Sequence, residues 1–326
     1  MIKIGELELG DFPLLLAPME DVSDPPFRKL CKEGGADLMF TEFISSEGLI
    51  RNAQKSLQKL DIFEFERPIG IQIFGNNIES MKEATEIASS VNPDIIDINY
   101  GCPVKKIVCK GSGAGILQDI PKMVKMTAEI VKSTKIPVTV KTRLGWDENT
   151  KYILEIAERL QDVGIKAISI HGRTRKQMYK GEANWELIRA VKENNRMHIP
   201  IFGNGDVTCP KTAKAKKEKY NVDGIMIGRG AIGNPWIFKQ IKDYLNSGII
   251  NPEPDIVEKA ETAMNHLNLS VQWKGEKLGV LEMRRHYSNY FRGIPKIKLY
   301  RKKLVQTNDY HSVAKIIEQI KQIYQA

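Results

Sequence analysis

Cys102 lies in the segment NYGCP (99–103), directly after an apolar run that begins at Ile95. An unperturbed thiol has a pKa of about 8.5, so at neutral pH it is mostly protonated and can serve as a general acid as well as a nucleophile. The loop that follows is long and rich in Lys and Gly, KKIVCKGSGAG (105–115), and long loops on the working face of a scaffold are commonly functional. Lys141 and His171 also close apolar runs. Either can donate to an electron-rich ring, as a flavin requires where negative charge gathers at its N1–C2=O edge. Each has a structural alternative, Lys141 in a rim ion pair and His171 as a hydrogen-bonded core residue. The stretches GNGD (203–206) and GRGAIG (228–233) carry glycines that let backbone N–H groups approach a phosphate. GRGAIG spells a dinucleotide fingerprint, but the helix after it runs into a linker with no second strand, so a phosphate-bearing cofactor held in a barrel is the better reading. Cys109 is a spare thiol in the long loop, and Cys31 and Cys209 fall in a helix and a turn where packing is the expected role.

These residues need a scaffold that brings them together. Eight apolar runs recur before residue 231: LLLAPM (14–19), LMFTEF (38–43), IGIQIFG (69–75), IIDINYGCP (95–103), VTVKTR (138–143), AISIHGRT (167–174), IPIFGNGD (199–206) and GIMIGRG (224–230). Between them lie helical spacings such as Met81, Ala84, Ile87, Ala88 and Ile153, Ile156, Ala157, Leu160. Strand and helix alternate eight times, which predicts an α/β chain folded as a (β/α)8 TIM barrel with near-continuous apolar strands; a doubly wound sheet is the alternative. In a barrel the strand ends share one face. Met19, Gln72, Asn99, Cys102, Lys141, Arg143, His171, Arg173, Asn204, Asp206 and Arg229 are therefore expected around one cavity.

NPWIFKQIKDYL (234–245) reads as the last barrel helix and NSGIINPEPD (246–255) as a linker. A small all-helical domain is expected over 256–326. Its apolar faces are Ile256, Val257, Ala260, Ala263, Met264, Leu267 and, near the end, Val313, Ile316, Ile317, Ile320, Ile323. The barrel domain is then 1–245.

With 326 residues, 42% apolar and 27% charged, the chain can bury a substantial core. Its net charge of +9 is uneven: residues 256–326 hold 13 Lys or Arg against 6 acids. Such asymmetry points to a polyanion partner. The stretch Arg284–Lys303 has eight basic residues and no acid, interleaved with Tyr287, Tyr290, Phe291 and Tyr300, a pattern suited to phosphate contact with base or ribose stacking. Four cysteines without a CxxC pair exclude a disulfide framework or zinc ribbon, so reduced thiols and no metal are expected. Glu6, Glu8 and Asp11 precede an apolar run, Leu14–Ala17, too short for a signal peptide or membrane span, so a cytoplasmic protein away from membranes is expected. The absence of a strong exposed apolar stripe favours a monomer.

Taken together, the motifs resemble the bacterial tRNA-dihydrouridine synthases, most closely their B-type branch. The matching segments are APMEDVSDPPFR (17–28), IQIFG (71–75), NYGCP (99–103), VKTR (140–143), HGRTRKQMYKGEANW (171–185), GNGD (203–206) and GRGAIGNPWIF (228–238), spread over nearly the whole chain. The resemblance implies an FMN enzyme that reduces the C5–C6 double bond of uridines in tRNA, with NADPH recharging the flavin. Ala17, Pro18 and Met19 would line the isoalloxazine, Gln72 and Lys141 would bond its edge, and His171 would sit against it. Asn204, Gly205 and Asp206 with Gly228 and Arg229 would hold the ribityl phosphate. Hydride would pass to uracil C6 and Cys102 would protonate C5, with Asn99 and Arg173 positioning the uridine. The basic domain would grip tRNA through Arg284, Arg285, Lys298, Arg301 and Lys302. Glu20 and Asp21 depart from the small residues usual after APM, and Asn289 stands where an aromatic is usual. Competing readings are an FMN barrel acting on a free pyrimidine, which leaves the basic tail unexplained, a tRNA-binding chaperone with a non-catalytic barrel, and a plain phosphate-binding barrel.

Overall fold

The computed structural model describes residues 1–325. Eight parallel strands form its centre: β1 (Leu14–Leu16), β2 (Met39–Phe40), β3 (Ile69–Phe74), β4 (Ile95–Tyr100), β5 (Val138–Arg143), β6 (Ala167–His171), β7 (Ile201–Asn204) and β8 (Gly224–Ile227). β1 pairs with β8, the sheet continues in descending order to β2, and a parallel bridge from Leu15 to Leu38 closes the ring. The predicted (β/α)8 barrel is therefore formed. Helices α1 (Pro25–Glu33), α2 (Ser46–Ile50), α3 (Ile78–Ser90), α4 (Ile120–Ser133), α5 (Ile153–Asp162), α6 (Glu186–Lys192), α7 (Pro210–Tyr220) and α8 (Ile237–Ser247) follow the strands in turn. Local chemistry sets where they start: Asp24 accepts the Phe27 N–H at 3.0 Å ahead of Pro25 and Pro26, and Asp119 accepts the Lys122 N–H at 3.0 Å.

Side chains alternate across each strand, so β1 turns Leu14 and Leu16 toward the helices and Leu15 into the barrel. The lower interior is apolar. Leu15, Leu38, Phe40, Ile95, Phe202 and Met226 meet Ile4 and Leu9 of an N-terminal hairpin (Lys3–Ile4, Leu7–Glu8), which plugs that end. Higher up, the inward positions of β3 to β6 are polar, which corrects the reading of near-continuous apolar strands. Register aligns Gln72 with Asp97, Asp97 with Thr139, Asn99 with Lys141, and Arg143 with His171. The loop after β4 is also more ordered than its composition suggested, with a helical turn at Lys105–Val108 and a 3-10 segment at Gly113–Gln118.

After α8 the chain has no regular structure until α9 (Ile256–Lys274), followed by α10 (Glu276–Tyr290), α11 (Lys298–Gln306) and α12 (Tyr310–Gln325). These four helices share a core of their own that includes Ala263, Leu267, Val280, Met283, Tyr287, Leu304, Val313, Ile317 and Ile320. Ile323, expected on that face, is 53% exposed, because the buried stripe of α12 runs through Val313, Ile317 and Ile320 to Tyr324, which packs on the core in its place. The helical region is locked to α1: Phe27 stacks on His266 at 5.6 Å between ring centres, and Lys274 bonds both Asp24 and Glu282. Among the described residues no helix is long and apolar enough to cross a membrane.

Candidate active site

At the C-terminal end of the strands lies a cleft of about 1290 Å³. Ala17, Pro18, Met19, Asn99, Cys102, Lys141, Arg143, His171, Asn204, Gly205, Asp206, Gly228 and Arg229 all line it, and Asn289, Tyr290 and Arg292 of the helical region close its far side. One wall is apolar, from Ala17, Pro18, Met19, Met226 and Ile227; the floor carries nitrogen donors.

The Cys102 peptide is held on three sides. Asn99 Oδ1 accepts the N–H groups of Gly101 and Cys102, both at 2.9 Å. Arg143 Nε donates to the Gly101 carbonyl at 2.7 Å, and Ala114 N–H donates to the Cys102 carbonyl at 3.0 Å. Arg143 is itself fixed by the carbonyls of Thr174 (3.0 Å) and Met178 (2.8 Å). Burial pushes the Cys102 thiol above its ordinary pKa, and the Val104 N–H and the Arg143 cation only partly oppose this. The thiol is neutral at pH 7.

Lys141 Nζ donates to Asn204 Oδ1 at 3.3 Å, and Asn204 Nδ2 is anchored on the Met226 carbonyl at 2.8 Å. Burial, with Arg143 nearby, lowers Lys141 to about 8, so it remains mostly an ammonium at pH 7. His171 is held well below its ordinary range by burial first and then by Arg143, Lys141, Arg173 and Arg229. It is a neutral imidazole; Arg173 Nη1, which can only donate, lies 3.5 Å from Nε2, so Nε2 accepts and Nδ1 is left as the donor. Gly205 adopts φ +126°, where a Cβ would also lie 2.7 Å from that of Ala183, so the GNGD turn requires glycine there.

Two expected residues do not reach the cleft wall. Gln72 is fully buried one layer beneath, with Nε2 on Asp97 (2.5 Å) and Oε1 accepting from Asn99 Nδ2 (2.8 Å). Arg173 is buried in a bidentate pair with Asp206, at 2.9 and 2.8 Å, and also donates from Nε to the Lys180 carbonyl at 3.1 Å. The Asp206 carboxylate is thereby turned to Arg173 and the Ala183 N–H. Burial would raise its pKa, but these bonds hold it below the usual value. What GNGD offers a phosphate is its backbone.

Two residues were missed in the sequence. Asp97 lies behind Gln72, and its signal was the inward phase of IIDIN. Tyr179, 51% exposed, packs under the Arg229 guanidinium at 4.8 Å and sits 6.4 Å from the His171 ring; its signal was an aromatic in the loop after β6. The departures at the rim have a local reason: Glu20 pairs with Lys59 at 2.6 Å, and Asp21 with Arg285 of the helical region at 2.7 Å.

The basic stretch divides into two groups. Arg284 donates to the Thr307 carbonyl (3.0 Å) and to Asn308 (2.5 Å), while Arg285 is exposed and pairs with Asp21 of the barrel rim. Lys298 and Lys302 are exposed and Arg301 is half-buried on α11. The stacking role expected of Tyr287, Tyr290 and Phe291 is corrected: all three are fully buried, because α10 turns them into the helical core. All four cysteines are free, with Cys31 and Cys102 buried and Cys109 exposed.

Fold and site together define a (β/α)8-barrel enzyme with its working groups on the strand-end face. The chain matches the family described as Dihydrouridine synthase (Dus) over residues 15–325 and belongs to it. It is 39% identical over 320 residues to a probable tRNA-dihydrouridine synthase of Rickettsia bellii, covering 98% of this chain and 97% of that protein. It is 38% identical over 301 residues to tRNA-dihydrouridine synthase B of Pasteurella multocida, covering 92% and 90%. Among solved structures, morphinone reductase superposes with a TM-score of 0.53 at 14% identity, over 78% of this chain and 90% of that one, a likeness of fold.

Proposed function

We propose that this protein reduces uridines in tRNA to 5,6-dihydrouridine in the barrel cleft, with FMN as its resident cofactor and NADPH as reductant. One observation carries the reading: a neutral, buried thiol is held rigidly on the same cleft as Lys141, His171 and Asn204. The residues fit the cofactor. The apolar wall of Ala17, Pro18 and Met19 suits a flat conjugated ring, Lys141 and His171 suit its electron-rich edge, and the Gly205, Gly228 and Arg229 rim suits a phosphate. When bound, FMN would supply the hydride that adds to uracil C6.

The chain's own residues complete the reaction. Addition at C6 leaves an electron pair toward C5, and Cys102 Sγ gives its proton there, so the C5–C6 double bond becomes single. A neutral thiol suits this step and a thiolate does not. Asn99 holds the Cys102 peptide in place while the ring is presented. The exposed Arg229 cation, packed over the Tyr179 ring, lies at the cleft rim, where the nucleotide's phosphates would enter. The target base must leave its stack to reach the cleft.

In this reading the barrel (1–245) performs the chemistry, 246–255 is a linker, and 256–326 grips tRNA. Lys298, Arg301 and Lys302 carry the grip together with the exposed Arg285, which also pairs with Asp21 of the barrel rim, while Arg284 bonds within the helical region. Cys102→Ala should still bind FMN and accept electrons from NADPH while making no dihydrouridine. Normal product formation by that variant would remove Cys102 from its role.

A further inference from the structure

We infer that Asp97 is a positioning residue for the reacting thiol, fixing the peptide that carries Cys102 through the side chains of Gln72 and Asn99. This rests on the reading of Cys102 given above.

The hydrogen-bond polarity allows only one arrangement. Asn99 Oδ1 faces two backbone donors, Gly101 and Cys102, each at 2.9 Å, so its amide cannot be reversed without setting N–H against N–H. Nδ2 then points at Gln72 and needs an acceptor, which is Oε1 at 2.8 Å. That orientation sends Gln72 Nε2 to Asp97 Oδ2 at 2.5 Å. The chain ends there, because the other carboxylate oxygen takes the Thr139 hydroxyl at 2.5 Å. A carboxylate accepts on both oxygens, so it can end the chain in only one sense. The two backbone N–H groups set the sense of the chain at Asn99, and Asp97 supplies the acceptor that holds its far end, without which the buried Gln72 Nε2 would have no partner and Gln72 would be free to swing away from Asn99.

Burial makes this costly to maintain by accident. Gln72, Asp97, Asn99 and Thr139 are all buried, on neighbouring strands in register, in a layer where apolar residues would fill the same space. Lys141 is the nearest obvious partner for Asp97, yet the hydrogen bond of Lys141 goes to Asn204. Asp97 therefore acts toward the thiol loop.

The test uses the FMN-loaded protein and separates the two half-reactions by anaerobic stopped-flow absorbance: flavin bleaching by NADPH, then recovery with unmodified tRNA. Asp97→Leu should slow recovery roughly 10–100-fold, the penalty for a misplaced reacting group, while bleaching stays within about twofold. Asp97→Asn should restore most of the recovery rate, since its oxygen can accept from Gln72 and its nitrogen can donate to Thr139. Alkylation of Cys102 by iodoacetamide, read by peptide mass spectrometry without turnover, should quicken severalfold in Asp97→Leu and stay parental in Asp97→Asn. Equal slowing of both half-reactions, equal loss in Leu and Asn variants, or parental recovery and alkylation in Asp97→Leu would each overturn the proposal. If Asp97→Leu does not fold, Gln72→Met cuts the same chain at similar volume, and its Cys102 alkylation rate, read without flavin turnover, carries the same expectation. Parental recovery in Cys102→Ala would instead refute the thiol's chemical role, and the alkylation rates would still decide whether Asp97 positions it.

Discussion

Asp24 ties the barrel to the helical region, and its substitution tests whether the two act as one body. It caps α1 through the Phe27 N–H at 3.0 Å and bonds Lys274 at the end of α9, with both side chains only 6% exposed. Removing one partner of a buried ion pair costs about 3–5 kcal/mol, because the remaining charge stays desolvated. Glu282 still reaches Lys274, which puts the loss at the lower end, about 3 kcal/mol. Loss of the cap adds about 1 kcal/mol. Asp24→Ala should therefore cost about 4 kcal/mol. For 326 residues, at an unfolding entropy of about 2.1 cal/mol/K per residue, that is a fall in Tm of about 6 °C.

Asp24→Asn keeps the cap and loses the charge, so it should cost about 3 kcal/mol. Lys274→Met should cost a similar amount, since it strands Asp24 beside Glu282. The double variant Asp24→Asn/Lys274→Met should lose much less than the sum, with a coupling of at least about 2 kcal/mol. Calorimetry or circular dichroism melts read all of these. Single losses under about 1 kcal/mol, or additive losses, would refute a buried clamp at this interface.

Two further outcomes follow from the same structure. Burial, partly opposed by Lys59, pushes Glu42 up from 4.5 to about 7, so the folded state favours the protonated acid; the stability this contributes is complete below 4.5 and lost as pH rises through 7. Glu42→Gln should gain on the parent by up to about 3 kcal/mol between pH 5 and pH 8 in urea melts, and a pH-independent difference would contradict the burial argument. On the RNA side, Lys298→Gln/Arg301→Gln/Lys302→Gln should weaken tRNA binding and flatten its log–log salt slope by roughly 2, read by filter binding across salt concentrations. An unchanged slope would place the phosphate contacts on other cations.

The strand-end residues were legible because a barrel gathers what each apolar run closes on, and Cys102, Lys141, His171 and Asn204 all reach the cleft for that reason. Arg173 could not be placed from its motif, since its fate depends on Asp206, 33 residues away in sequence but bidentate in space. Tyr287 and Tyr290 were misread because basic residues interleave with them. Their own spacing with Met283, at i, i+4 and i+7, is that of a buried helix face, and it outweighs the charge pattern around it. Ile323 failed in the opposite sense: it is apolar but lies beside the buried stripe, which continues from Ile320 to Tyr324.

The polar layer shows what a sequence hides until register is known. In IIDIN and VTVK the period-two alternation marks Asp97, Asn99, Thr139 and Lys141 as facing one side, yet nothing in either run says that Asp97 meets Gln72 on one flank and Thr139 on the other. A slip of one residue would have turned all of them toward the helices and left charges in an apolar layer. The apolar residues between them, Ile96, Ile98 and Val140, prevent that slip by burying against the helices. The hydrophobic half of each strand thus sets the register, and the register brings the polar half into bonding distance beneath Cys102.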